Sequence, residues 1–164
     1  MAKILILPVC LLILLSFSSI ASSLLALLPL SNMVEESEMI IIGKVVKVKE
    51  PNKRHEELSF FRVTIKVEKV LKGNQDTKSI DVYFLPGMED EPNFSLNDKS
   101  IFFIHGYQNE YRLVQSCAGK IDIKNGKAIN IHIYNEAYNQ KLDSFLHKIE
   151  EALKMNKKRK IDGR

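Results

Sequence analysis

The 164-residue sequence contains no tryptophan, two cysteines, five prolines and seven glycines. Two cysteines exclude a disulfide-dense scaffold and a four-thiolate zinc site. The lack of tryptophan and the 8% aromatic content leave little material for stacking platforms. A charged fraction of 27% excludes an extended polyelectrolyte. Charge is almost missing from the N-terminal part, where Lys3 is the sole charged side chain before Glu35. What is present is a 45% apolar fraction, enough for a core and contrary to global disorder, in a length that fits one domain.

The uncharged start has the pattern of a targeting segment. Lys3 and the amino terminus make a positive flank, and Ile4 to Leu15 an apolar stretch of the length an export signal uses. Ser19 and Ala21 place small residues at the −3 and −1 positions of a cleavage after Ala21, so residues 1–21 read as a signal peptide. The alternative is an uncleaved membrane anchor over 4–30, because apolar character resumes at Leu24 and the whole run is long enough to span a bilayer. Both readings export the rest of the chain, either secreted or attached to the outer face of the cytoplasmic membrane. Cys10 lies inside the run and reads as a small hydrophobe of it. Loss of the signal would leave Cys117 alone, excluding a disulfide within the domain. Cys117 is then a buried small side chain or, more sharply, a reactive thiol or intermolecular disulfide partner.

The formal net charge is +4. Six basic residues against Asp162 give residues 154–164 a charge of +5, and Lys3 adds one, so the domain between them is about −2. The basicity belongs to a tail, expected to be disordered over 155–164. Its Lys157, Lys158, Arg159 and Lys160 read as a solvated run or as a contact for an anionic membrane surface. Export and the lack of a clustered set of exposed aromatics argue against nucleic acid.

Between these ends the pattern is mainly β. Ser31 to Glu36 reads as a short helix capped by Ser31, with Glu35 and Glu36 at its positive end. Met39 to Lys49 opens as a continuous apolar run and ends alternating, a long strand with a bulge or bend at Gly43. In the next strand, Phe60 to Leu71, Phe61, Val63, Ile65 and Val67 share one face against Arg62, Thr64, Lys66 and Glu68. Shorter strands follow at Ile80–Leu85, Ser100–His105 and Tyr111–Val114. Asn125-Gly126 specifies a type I′ hairpin between Ile121–Lys124 and Lys127–Ile133, with Ile129, Ile131 and Ile133 on one face and Asn130 and His132 on the other. Tyr138, Leu142, Phe145, Leu146, Ile149 and Leu153 form one stripe of an amphipathic C-terminal helix over 136–154. The expected fold is a small OB-like Greek-key barrel over 31–153 with a short N-terminal helix and this C-terminal helix.

Catalytic constellations are sparse. His55, His105, His132 and His147 make no helical His-Glu-x-x-His pair, and His105 and His132 would need further ligands to hold zinc. Cys117 would need His105 or His132 as a base. The acidic loop 89–98, with Glu89, Asp90, Glu91, Asn93, Asn97 and Asp98, offers oxygen ligands for calcium without the fixed glycine and alternating spacing of the twelve-residue calcium loop. No catalytic residue, metal site or cofactor is assigned, and the chain does not read as an enzyme.

Glu38-Met39-Ile40-Ile41-Ile42-Gly43-Lys44-Val45-Val46 resembles the first strand of the netrin-like OB domains, which include the tissue inhibitors of metalloproteinases, and is closer to their secreted prokaryotic relatives. The resemblance continues through Phe61 to Gly73, Lys99 to Ile104, Tyr111-Arg112-Leu113 and Gly119 to Ile123, and covers roughly residues 31–133. It implies an OB-like fold. The animal inhibitors act through a Cys-x-Cys mature N-terminus that ligates the protease zinc, and here no cysteine lies between Cys10 and Cys117. Any protease inhibition would therefore need an altered mechanism. The leading expectation is an exported, non-enzymatic binding module for a protein or cell-surface partner. A membrane-anchored structural or accessory envelope protein is the alternative, and an inhibitor of altered mechanism the weaker one.

Overall fold

The computed structural model describes residues 28–50, 60–85, 92–108, 110–130 and 139–163. The expected signal or anchor run up to residue 27, His55, the acidic Glu89–Glu91 and His132 lie outside the described residues. The elements in chain order are α1 (Leu30–Glu36), β1 (Met39–Lys49), β2 (Phe61–Lys72), β3 (Ser79–Phe84), β4 (Lys99–Tyr107), β5 (Glu110–Leu113), a 3-10 turn (Ser116–Gly119), β6 (Lys120–Lys124), β7 (Lys127–Ile129), β8 (Gln140–Lys141) and α2 (Leu142–Asp162). No helix among the described residues is long and apolar enough to cross a membrane.

The chain is mainly β, and its first five strands close into the expected OB-like ring. β1 pairs with β2, β2 with β3, β3 with β5, β5 with β4, and β4 with β1. The ring is not a regular barrel, for two physical reasons. β3 and β5 meet in parallel through one residue pair, Val82 and Tyr111. The β1–β2 ladder also slips three times, once at Ile42/Gly43. Gly43 is the bend expected there: a Cβ on it would lie 2.6 Å from Ile65 Cγ2 and 2.8 Å from the Lys66 carbonyl oxygen. Only a residue without a side chain lets β2 approach this closely.

Two cores explain the apolar runs. Along β1, Met39, Ile41 and Val45 point into the ring, while Ile40 and Ile42 point to the helices. β4 divides the same way, with Phe102 and Ile104 inside the ring and Ile101 and Phe103 under the helices. A strand buried on both faces needs apolar residues at every position, so the run is continuous rather than alternating. β2 is buried on one face, and Val63 and Ile65 accordingly alternate with exposed Lys66 and Glu68.

The far edge of β4 is shared: Ile104–Tyr107 pair with β5, and Ser100–Phe102 pair with β6. β6, β7 and β8 continue the sheet from there. Asn125 (φ 52°) and Gly126 (φ 70°) carry the β6–β7 turn as their sequence predicts. Beyond it the expected facing reverses at Ile129 and Asn130, while Ile131 and Ile133 lie outside the described residues. Ala128 and Asn130 are buried and Ile129 is half-exposed. Burying the Asn130 amide is compensated because its Nδ2 donates to the carbonyls of Cys117 (3.4 Å), Ala118 (3.3 Å) and Lys120 (3.3 Å).

Both helices differ from their expected bounds. α1 starts at Leu30, with the Pro29 carbonyl accepting from Asn32 and Met33, so Ser31 lies within the helix and does not cap it. In a helix of seven residues Glu35 and Glu36 fall in the last turn, at its negative rather than its positive end. The domain also begins before residue 31: Leu28 and Leu30 pack against the helix-side core, and the Leu28 amide donates to Gln115 Oε1 at 2.9 Å.

α2 starts at Leu142, not at 136, because Gln140 and Lys141 pair with Ala128 and Lys127 as a strand. It then runs through the expected disordered tail to Asp162. Lys and Arg are good helix formers, no Pro or Gly intervenes before Gly163, and cations suit the C-terminal end of the dipole. Phe145, Ile149 and Ala152 are its buried residues, whereas 157–163 are all exposed.

Candidate functional site

Closure of the ring brings four chain segments to one cleft. Register sets Phe84 at the end of β3 opposite Phe61 at the start of β2, and His105 of β4 opposite Arg112 of β5. Phe60, Tyr83, Phe84, Leu85, Pro92, His105, Tyr107, Arg112, Leu113 and Ser116 line a cleft of about 420 Å³. The walls are mostly rings and aliphatic side chains, with one permanent cation among them. That mixture and size are typical of a ligand cleft.

Arg112 packs against two rings. Its Cζ is 4.3 Å from the Tyr107 ring centre and 4.7 Å from that of Phe60. Each such contact is worth about 0.5–1 kcal/mol, and both together restrain the guanidinium. Its Nη2 donates to Glu110 Oε2 at 3.4 Å. Its Nε is buried and has no hydrogen-bond partner among the described residues.

A row of rings continues from the cleft into the core. Phe61 stacks on Phe84 (5.2 Å), Phe84 meets Phe94 (5.1 Å), and Phe94 lies 6.4 Å from Phe102. Beside this row a second hollow of about 300 Å³ is lined by Val48, Phe61, Phe84, Pro92, Asn93 and Phe94. Phe84 and Pro92 line both hollows, so the two are adjacent.

A separate cluster of charges lies on β6. The Lys120 ammonium donates to Asp122 Oδ1 and lies 3.6 Å from Asp98 Oδ2. Ser100 Oγ donates to Asp122 Oδ1 at 2.9 Å, and Lys124 Nζ lies 3.3 Å from Asp122 Oδ2. Burial pushes the Asp122 carboxyl up. The Lys120 hydrogen bond and charge, with the Ser100 and Lys124 hydrogen bonds, outweigh it and hold the group below its ordinary value. Each charge here is matched, which describes a structural clamp joining β4, β6 and the Asp98 turn.

The residues expected to carry chemistry are dispersed. Cys117 is half-buried on the 3-10 turn rather than fully buried, and its neighbour Ser116, not Cys117, lines the cleft. His105 lines the cleft, while His147 Nε2 lies 3.3 Å from Glu151 Oε1 on exposed α2. Within the acidic stretch, Asp98 is engaged by the Ser95 amide at 3.0 Å and by Lys120. No group of three or more His, Cys, Asp or Glu among the described residues could hold a metal ion. Lys157, Lys158, Arg159 and Lys160 occupy the exposed last turns of α2.

Arg112 and the rings around it are not legible as a site in the sequence, where Arg112 reads as one polar position of a short strand. Phe60, Tyr83, Phe84 and Tyr107 gather from three separate stretches of chain, with Tyr107 exposed and the other three half-buried. One signal was available: Tyr107 and Arg112 are close in sequence across a hairpin, so their side chains are neighbours. Compared with known proteins, the chain matches no family model and no curated protein.

Proposed function

We propose that the chain is an exported, non-enzymatic binding module that engages a protein or cell-surface partner through the aromatic cleft around Arg112. The observation that carries this reading is the cleft itself: a guanidinium packed against Tyr107 and Phe60, in a largely aromatic and aliphatic lining beside a second hollow. Arginine packed on rings is already restrained, so binding an acceptor costs it little further entropy. Arginine and aromatic groups are also the side chains that dominate binding energy at interfaces. Export rests on the apolar, signal-like start of the sequence.

Two measurements test the reading. A reporter active only outside the cytoplasm, fused after Arg164, is expected to be active with the native N-terminus and inactive when residues 2–21 are deleted. Activity in both fusions, or in neither, overturns export. A fragment and peptide screen by NMR on the labelled chain is expected to shift Tyr83, His105, Tyr107 and Arg112 together. Shifts confined to another face overturn the placement of the binding surface.

A further inference from the structure

The cleft contains one guanidinium that is incompletely satisfied. Arg112 has five N–H donors. Among the described residues its one hydrogen-bond acceptor is Glu110, at 3.4 Å, and the buried Nε donates to none. Phe60 and Tyr107 pack against the guanidinium and Glu110 engages Nη2, so a ligand in the cleft meets the terminal N–H donors that remain. Resting on the reading of this cleft as the binding surface, we propose that it takes a monocarboxylate carried on an apolar body. The carboxylate lies on the terminal N–H donors of Arg112, and the apolar body lies against Phe84, Leu85 and Leu113.

Three features select this chemistry. The two terminal nitrogens of a guanidinium present parallel donors at the spacing of the two carboxylate oxygens. Glu110 already offsets part of the single positive charge, so a phosphate dianion would bring two charges to a site with less than one to offer. Apart from His105 and Ser116 the remaining lining is ring and aliphatic side chains, which favours an apolar group beside the acid. A cleft of about 420 Å³ accommodates one large side chain or a short acyl chain next to the carboxylate. The same chemistry occurs at the C-terminus of a peptide and in a free organic acid.

Calorimetry on the full chain separates the cases, using an acetylated tripeptide ending in phenylalanine, its C-terminal amide, octanoate and phenyl phosphate. The expected result is that the peptide acid or octanoate binds at least tenfold more tightly than the amide and than phenyl phosphate. Binding of the peptide acid alone assigns the site to chain ends, and of octanoate alone to free acids. Arg112→Gln is expected to reduce acid binding to the level of the amide. Arg112→Lys, which keeps the charge but loses the fork, is expected to lose most of it. The acid–amide comparison needs no variant, so it stands even where Arg112→Gln fails to fold. Equal binding of acid and amide, with NMR shifts in the cleft, overturns the carboxylate inference and leaves the module reading standing. Tighter phenyl phosphate, or no binding by either acid, also overturns it. A failed export test or shifts on another face count against the module reading instead.

Discussion

The ammonium of Lys72, at the end of β2, lies 2.7 Å from the carbonyl oxygen of Val34 in α1. It also donates to the carbonyls of Glu35 (3.3 Å) and Ser37. The last carbonyls of a helix lack partners within the helix and carry its negative end. A lysine from the strand ring therefore closes α1 and offsets Glu35 and Glu36, which sit at the unfavourable end. Lys72→Met keeps the aliphatic stem and removes the donor. It is expected to lower stability by about 1–3 kcal/mol, because three carbonyls lose their partner at once. A shift in the denaturant midpoint at unchanged slope checks it.

The same lysine links the strand ring to the end of α2. Burial holds the Lys72 pKa below its ordinary value, the Lys160 charge lowers it further, and Glu35 pulls it back up. With the folded value below the unfolded one, the unfolded chain binds more protons in the interval just under 10.5, so this group's contribution to stability rises with pH there. Lys160→Gln is expected to move the Lys72 titration toward 10.5 and to reduce that alkaline gain. Side-chain NMR of Lys72, with unfolding at neutral and alkaline pH, measures both. An unmoved Lys72 titration refutes the coupling.

The strands were legible and the site was not, for one reason. β1, β2 and the β6–β7 turn are written in local periodicity and in Asn125-Gly126, which act over a few residues. The cleft depends on which strands become neighbours: Phe60, Phe84 and Arg112 meet only because β3 lies beside β5. The tail failed in the opposite way. Lys157 to Lys160 show no apolar period, yet their propensity and the charge at a helix end suffice to extend α2. Alternation alone puts Asn130 on the face opposite Ile129, and it carries no sign that three carbonyls satisfy a buried amide there.

Asp122 makes stability sensitive to acid. Its folded pKa is held below the ordinary value by Lys120, Ser100 and Lys124 against the opposing effect of burial. The unfolded chain then binds more protons below about pH 4, so the contribution is present above that pH and is lost as pH falls further. Asp122→Asn leaves Lys120 with Asp98, at 3.6 Å, as its one carboxylate partner. It is expected to cost about 3–5 kcal/mol at neutral pH and to flatten the acid limb of the stability curve. Unfolding midpoints measured from pH 7 to pH 3 test this, and an acid limb as steep in the variant as in the parent contradicts it.

Gly43→Ala tests the bend in β1. Its new methyl would sit 2.6 Å from Ile65 Cγ2 and 2.8 Å from the Lys66 carbonyl oxygen. The carbonyl belongs to the paired strand and cannot move without breaking the ladder, so β1 and β2 must separate. A loss of about 1–3 kcal/mol is expected, the usual cost of overpacking. Gly126→Ala is the control, because nothing lies within 4 Å and strain arises only from φ of +70°. Its expected cost is about 1–2 kcal/mol, with amide shifts confined to the turn. For Gly43→Ala the shifts should instead extend along both strands.

The two halves of α2 should contribute very differently. Phe145 is fully buried with Ile149 and Ala152 against the helix-side core. Phe145→Ala is expected to cost about 3–5 kcal/mol, since the cavity opens beneath a long helix that cannot collapse into it. Residues 157–163 are all exposed, and Ile161 retains 64% of its accessible surface. Ending the chain after Asn156 removes helical turns that bury nothing and also removes the charge of Lys160 near Lys72. Thermal unfolding should therefore change by less than about 0.5 kcal/mol, while helical circular dichroism falls in proportion to the turns lost. A loss of several kcal/mol on truncation would mean that the basic turns are part of the packed fold. A small loss locates the stabilising part of α2 in the stripe from Phe145 to Ala152 and leaves its basic end free to act on something outside the domain.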